Sequence, residues 1–356
     1  MEKIFNSMRD RMPWPVARVL LRSLGLEPSQ GWQRTIKKYA DAPQQKHIGP
    51  LLDKIEEHNL CGEKFTKIYE IEPEEHRLVQ NWISGLEVPE NLFTRAYPLT
   101  LPANEIDEIG APPQLVSVVR NDDGIGAVYT HVIRLTTREK IELGDLVDDP
   151  SVFEDQYDEI IGLKYRTVQL FSIAWVPHDR NAIEIRTDMP AGMSTDFAHA
   201  VQSQIRRTLN DSEIIELNRP IDLFPLLEAI YEDSRDGLVV ELGFSTTSAS
   251  VKNEKMRRAG LDLRTEPYHL AGKKGLGTPI EPFRLFVRWT VATDDIRLTP
   301  ELGLVGTARG RSTIGEPGKV GISGAIIRNC VGRADFEYVI SRMHHHLESL
   351  KEEVGT

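Results

Sequence analysis

The sequence predicts an α+β protein in which a small N-terminal helical domain precedes a mixed or antiparallel sheet domain with helices on one face. Three observations carry this. Apolar residues recur at helical spacing through the first 90 positions, and short β-branched or aromatic runs dominate after residue 113. Strands also follow one another directly before a helix intervenes, an order that favours antiparallel pairing over strand-helix-strand crossovers. With 356 residues, 40 % of them apolar and 27 % charged, the chain can fill a sizeable core in two or three structural units.

The helical part begins after Pro13 and Pro15, where Val16, Val19, Leu20 and Leu21 predict a helix that stops near Gly25. Further helices are expected over residues 30–40, 49–57 and 74–84. Elements this short bury their apolar sides only by packing together, so residues 1–90 read as one helical domain. Residues 91–115 form a connection, since Pro89, Pro98, Pro102, Gly110, Pro112 and Pro113 punctuate regular structure there. Residues 116–356 form the α+β domain. Its expected strands cover 114–120, 127–135, 167–176, 182–186, 237–244, 283–291, 302–307 and 320–327. Its expected helices cover 194–209, 221–232, 252–259 and 334–351, with 139–146 a helix or a loop.

Charge is uneven along the chain. Residues 1–160 hold 18 of the 43 Lys and Arg but 28 of the 54 Asp and Glu, so nearly all of the net charge of −11 belongs to the front half. Residues 252–311 run the other way, with 12 basic and 7 acidic residues. The richest stretch follows the strand expected at 237–244. There a hydroxyl-rich turn containing Thr246, Thr247 and Ser248 leads into Lys252, Lys255, Arg257, Arg258 and Arg264, then into a glycine-bearing loop with Tyr268, His269, Lys273 and Lys274. A turn at the positive end of a helix over 252–259 would offer backbone N–H groups to a phosphate, with the cations lining one side. Tyr268 among cations suits base stacking, and Arg309 and Arg311 sit in a second glycine-rich basic loop.

Residues 15–39, PVARVLLRSLGLEPSQGWQRTIKKY, place Leu24, Gly25, Leu26, Ser29, Gly31, Arg34, Lys37 and Lys38 in a recognisable order. This stretch resembles the SAP-type helix-turn-helix motif, although Trp32 and Gln33 stand where that family usually carries a lysine. The resemblance implies a helical hairpin whose basic second helix meets nucleic acid.

The leading expectation is therefore a nucleic-acid-binding or scaffold protein that neutralises phosphates, with no catalytic centre in view, no cofactor and no membrane partner. A protein partner for the helical domain is a further expectation. Two alternatives stand beside it. One is a metal-dependent phosphodiester hydrolase, for which Glu184, Asp188 and Glu241 are the candidate carboxylates; the other is a protein-protein interaction module. Cys61 and Cys330 lie far apart and outside any metal-ligand spacing, so reduced buried thiols are expected. The longest uncharged run, residues 167–178, falls well short of the roughly 20 residues of a membrane span, and a cytoplasmic location is expected.

Overall fold

Four helices precede the first strand: α1 (Glu2–Arg11), α2 (Trp14–Ser23), α3 (Gly31–Asp41) and α4 (Ile48–Cys61). The structure, a computed structural model, describes residues 1–106, 110–141, 160–246, 250–258, 260–293, 296–311 and 321–354. Phe5, Met8, Leu20, Leu21, Leu26, Tyr39 and Leu51 fill the space between these helices, and the Phe5 and Tyr39 rings stack at 5.2 Å. Gly25 ends the α2 segment at φ 71°, a left-handed turn that suits glycine.

The expected run of helices is interrupted at β1 (Lys64–Glu70), which lies in the middle of the sheet. Phe65, Lys67 and Tyr69 alternate there with Lys64, Thr66 and Ile68, and six of the seven residues are buried. Buried charge hides the strand from a reading that counts apolar runs, because Lys64 is 0 % exposed. Helices α5 (Pro73–Ser84) and α6 (Leu92–Ala96) follow, and then β2 (Gln114–Asn121), β3 (Gly124–Ile141), β4 (Ile160–Pro177) and β5 (Ala182–Asp188). Two points after α6 are tied to the rest of the protein: Asn59 donates to the Pro98 carbonyl at 2.8 Å, and Leu101 N donates to Gln169 at 2.8 Å.

The remainder comprises α7 (Thr195–Asn210), α8 (Leu226–Glu232), β6 (Leu238–Ser245), β7 (Val251–Lys255), α9 (Pro267–Leu276), β8 (Glu281–Arg288), a hairpin of β9 (Val291–Thr293) and β10 (Ile296–Leu298), β11 (Glu301–Val305), α10 (Ala308–Arg311), β12 (Ala325–Arg328) and α11 (Arg333–Val354). Two expectations fail here. Residues 251–255 form an edge strand rather than part of a helix, and residues 267–276 form a helix rather than a loop. Residues 139–141 belong to β3, whereas 142–146 lie outside the described residues.

Ten strands make one sheet in the order β2-β3-β4-β5-β1-β12-β11-β8-β6-β7, with antiparallel pairing throughout. The fold is α+β. Helices occupy both faces of its first half: α5 and α7 pack on Tyr69, Ile125, Ile183 and Ile185, while Leu60 of α4 packs on Phe171, Ile173 and Trp175. In the second half α8 and α11 cover the face that carries Leu285, Val287, Leu302, Leu304 and Ile327. The opposite face of β6, β8 and β11 contributes to no hydrophobic cluster among the described residues.

Candidate nucleic-acid interface

Period-two alternation decides what that opposite face displays. On β8, Leu285 and Val287 point into the core, so Arg284, Phe286 and Arg288 share the other side. Registry then brings Glu301 of β11 between Arg288 and Arg328 of β12, and Glu241 of β6 beside Lys255 of β7. Gly303 lies opposite Phe286.

The ion pairs run in a definite direction, with acids beneath and bases above. Glu301 is fully buried and accepts from Arg288 Nη2 at 2.8 Å and from Arg328 Nε at 2.6 Å. Glu241 accepts from Arg284 Nε at 2.6 Å and pairs with Lys255 Nζ at 2.9 Å. Burial pushes the Glu241 carboxyl up, but hydrogen bonds from Lys255 and Arg284 outweigh it and hold the group below its ordinary value. The bases stay more open: 33 % of the Arg284 side chain, 37 % of Arg328 and 69 % of Lys255 remain exposed. Four cations thus lie over two carboxylates.

Phe286 organises the centre. The Arg284 and Arg328 guanidinium groups sit 4.9 Å and 4.6 Å from its ring centroid, so both planar cations rest against one aromatic support. A Cβ at Gly303 would come within 2.3 Å of the ring, and only glycine leaves that space free.

The sequence-predicted residues scatter around this face. Lys255 belongs to it, but Lys252, three positions away on a strand, points to the other side. Arg257 and Arg258 are exposed beyond the strand end. Thr246 is buried in the β6–β7 connection, where its N–H donates to the Ser250 carbonyl at 3.0 Å; Thr247 and Ser248 lie outside the described residues. Arg264 is structural: it pairs with Asp262 at 2.9 Å and donates to the carbonyls of Asp233 and Gly237. His269 is buried between Tyr231 Oη at 2.9 Å and Glu254 at 2.6 Å. Lys273 reaches Tyr231 and Glu232 at 3.3 and 3.4 Å, whereas Tyr268 and Lys274 are exposed on α9. Arg309 is exposed on α10, and the Arg311 side chain lies outside the description.

The carboxylates proposed for a metal do not converge. Glu184 is buried against Arg180 at 2.9 Å and Arg186 at 2.7 Å; burial raises its pKa, but the two guanidinium groups outweigh this and lower it. Asp188 accepts from Lys64 Nζ at 2.5 Å, Arg11 Nε at 2.9 Å and Phe171 N at 2.8 Å. Among the described residues, no three His, Cys, Asp or Glu side chains stand close enough to hold a metal ion. In α11, His346 Nε2 bonds Asp236 at 2.6 Å, so this histidine is structural. Both cysteines are free and buried, and no described helix is long and apolar enough to cross a membrane.

Arg284, Arg288 and Arg328 were missed because they sit on two separate strands outside the densest basic run. The signal for two of them was present in Arg284-x-Phe286-x-Arg288, whose period of two puts all three side chains on one face. Fold and face together define an α+β protein whose sheet carries four cations on one face among the described residues. Comparison with protein-family models and with curated proteins found no match for the chain.

Proposed function

We propose that the chain binds the phosphate backbone of a nucleic acid through the face of β7, β6, β8, β11 and β12 that carries Lys255, Arg284, Arg288 and Arg328. One observation carries this reading: Lys255, Arg284, Arg288 and Arg328 share that face above the half-buried Glu241 and the buried Glu301. Ordinary surface ion pairs expose both partners, whereas here the exposed rim is positive on a chain of net charge −11. Arginine forks suit phosphate oxygens, and a sheet face presents them at regular spacing. The helix-turn-helix of α2 and α3 supports a second contact, since Arg18, Arg22, Gln30 and Gly31 line one cleft of about 510 Å³ at the start of α3.

Fluorescence anisotropy with labelled oligonucleotides at several salt concentrations tests the proposal. Binding should weaken linearly on a log-log plot as salt rises, and Lys255→Ala with Arg284→Ala should weaken it for every sequence and reduce the slope by about 2. A folded double variant that binds as tightly as the parent protein, with the same slope, rejects this face.

A further inference from the structure

A cavity of about 520 Å³ lies between α1, the chain that follows α6, and β4, within the size range of small-molecule pockets. Lys3, Ser7 and Asp10 recur at i, i+4 and i+7, so one stripe of α1 forms a wall. Buried polar side chains fix the facing wall. Ser7 accepts from Thr100 N at 2.9 Å, and Gln169 accepts from Leu101 N at 2.8 Å while donating to Thr130 Oγ1 at 2.9 Å. Backbone anchored in this way forms the cavity before any ligand arrives.

The charge of the cavity is one-sided and accessible. Lys3 and Arg9 of α1, Arg95 of α6 and Arg166 of β4 line it against two carboxylates, Asp10 and Glu105. All four cations are exposed, so a solute in the cavity can reach their donors. Arg9 meets Asp10 at 3.5 Å, and Arg95 meets Glu90, outside the lining, at 3.3 Å; such solvated pairs contribute little and yield to a stronger acceptor. Lys3 and Arg166 have no side-chain partner among the described residues. Two unneutralised cations on separate elements therefore face one space.

Lining chemistry restricts the occupant further. Ala96, Leu99, Leu101, Pro102 and Ala103 supply an apolar part of the wall. A bare inorganic anion would leave them in water, whereas a ligand with a hydrocarbon or aromatic body covers them. Cations from three separate elements offer more donors than the two oxygens of a carboxylate engage, and they suit the three oxygens of a phosphate group. We infer that the cavity binds a small phosphate monoester, with its phosphate on the cations and its apolar body against Leu99 and Leu101. This site shares no residue with the Lys255–Arg284 face and does not rest on the nucleic-acid reading.

Isothermal titration calorimetry with naphthyl phosphate tests the site. Binding should saturate at one molecule per chain and be about tenfold tighter, or more, than that of sodium phosphate, naphthol or naphthoate. Lys3→Ala with Arg166→Ala should weaken it by about tenfold. If that variant does not fold, Arg9→Ala with Arg95→Ala should show the same loss. No saturable heat at millimolar concentration overturns the proposal. Equal affinity for sodium phosphate overturns the apolar-bodied class, and equal affinity for naphthoate overturns the phosphate. Undiminished affinity in a folded variant of either pair puts the binding elsewhere and overturns the site. Displacement of naphthyl phosphate by an unlabelled oligonucleotide assigns the phosphate to a nucleic-acid chain and overturns the small-molecule class. The Lys255→Ala, Arg284→Ala variant should titrate normally, so failure of the cationic face and failure of this cavity are distinguishable.

Discussion

Gly303 shows how one missing side chain shapes a surface. Alanine is ordinarily better than glycine within a strand, since it restricts the unfolded chain. At Gly303 the added carbon would meet the Phe286 ring at 2.3 Å, and that ring is itself buried. Gly303→Ala should therefore destabilise the protein by about 1–3 kcal/mol in urea titration, the usual effect of overpacking. It should also weaken oligonucleotide binding, because the displaced ring supports Arg284 and Arg328. Preserved stability together with preserved binding would refute this role for the glycine. At this scale the sequence was least legible. Arg264 and Lys255 are equivalent as letters in a basic run, but Arg264 meets backbone carbonyls and Asp262, while Lys255 keeps 69 % of its side chain in solvent.

The short segment VKNEK at 251–255 separates two readings of the basic region. As a helix it would set Lys252 and Lys255 on one face, three apart. As β7 it sends them to opposite sides, and Lys255 alone joins Glu241. Lys255→Ala should accordingly reduce affinity for an oligonucleotide and lower the salt slope by about 1, whereas Lys252→Ala should leave the slope unchanged. Equal losses in the two variants would contradict the strand geometry of the interface. Local propensity does not decide such a segment, because five residues with one β-branched side chain carry little preference. Hydrogen bonding to β6 along one edge, and the His269–Glu254 contact from α9, select the strand. The α2–α3 hairpin is the contrasting case: Leu24-Gly25-Leu26 encodes its turn locally, and the structure has that turn with Leu26 fully buried.

Across the molecule, one buried ionic centre ties the N-terminal helices to the sheet. Arg11 of α1 and Lys64 of β1 both meet Asp188 of β5, and Asn59 of α4 accepts from Arg11. Burial pushes the Asp188 carboxyl up, but Arg11 and Lys64 outweigh this and bring it down to about 2. A carboxylate whose folded pKa lies below its unfolded value stabilises the protein above roughly pH 4, and that contribution disappears as pH falls through about 2. The shift corresponds to about 2 kcal/mol. Asp188→Asn should cost about 3–5 kcal/mol at pH 7, since it leaves two buried cations uncompensated, and the gap to the parent protein should narrow as pH falls from 4 to 2. Urea denaturation of both proteins across that range measures the gap; a constant difference would disprove the linkage.

The sequence by itself determined the α+β class, the helical start, most strands and the concentration of acid in the front half. These follow from period, turn residues and composition, which act over a few neighbouring positions. Only the tertiary structure decided that β1 joins the sheet, that Arg264 and His269 serve packing, and that Arg284, Arg288, Arg328 and Lys255 share a face. The physical reason is that strand registry joins residues far apart in the chain, such as Lys64 and Ile327 directly, or Glu241 and Arg328 through β8 and β11, and no local pattern carries that pairing.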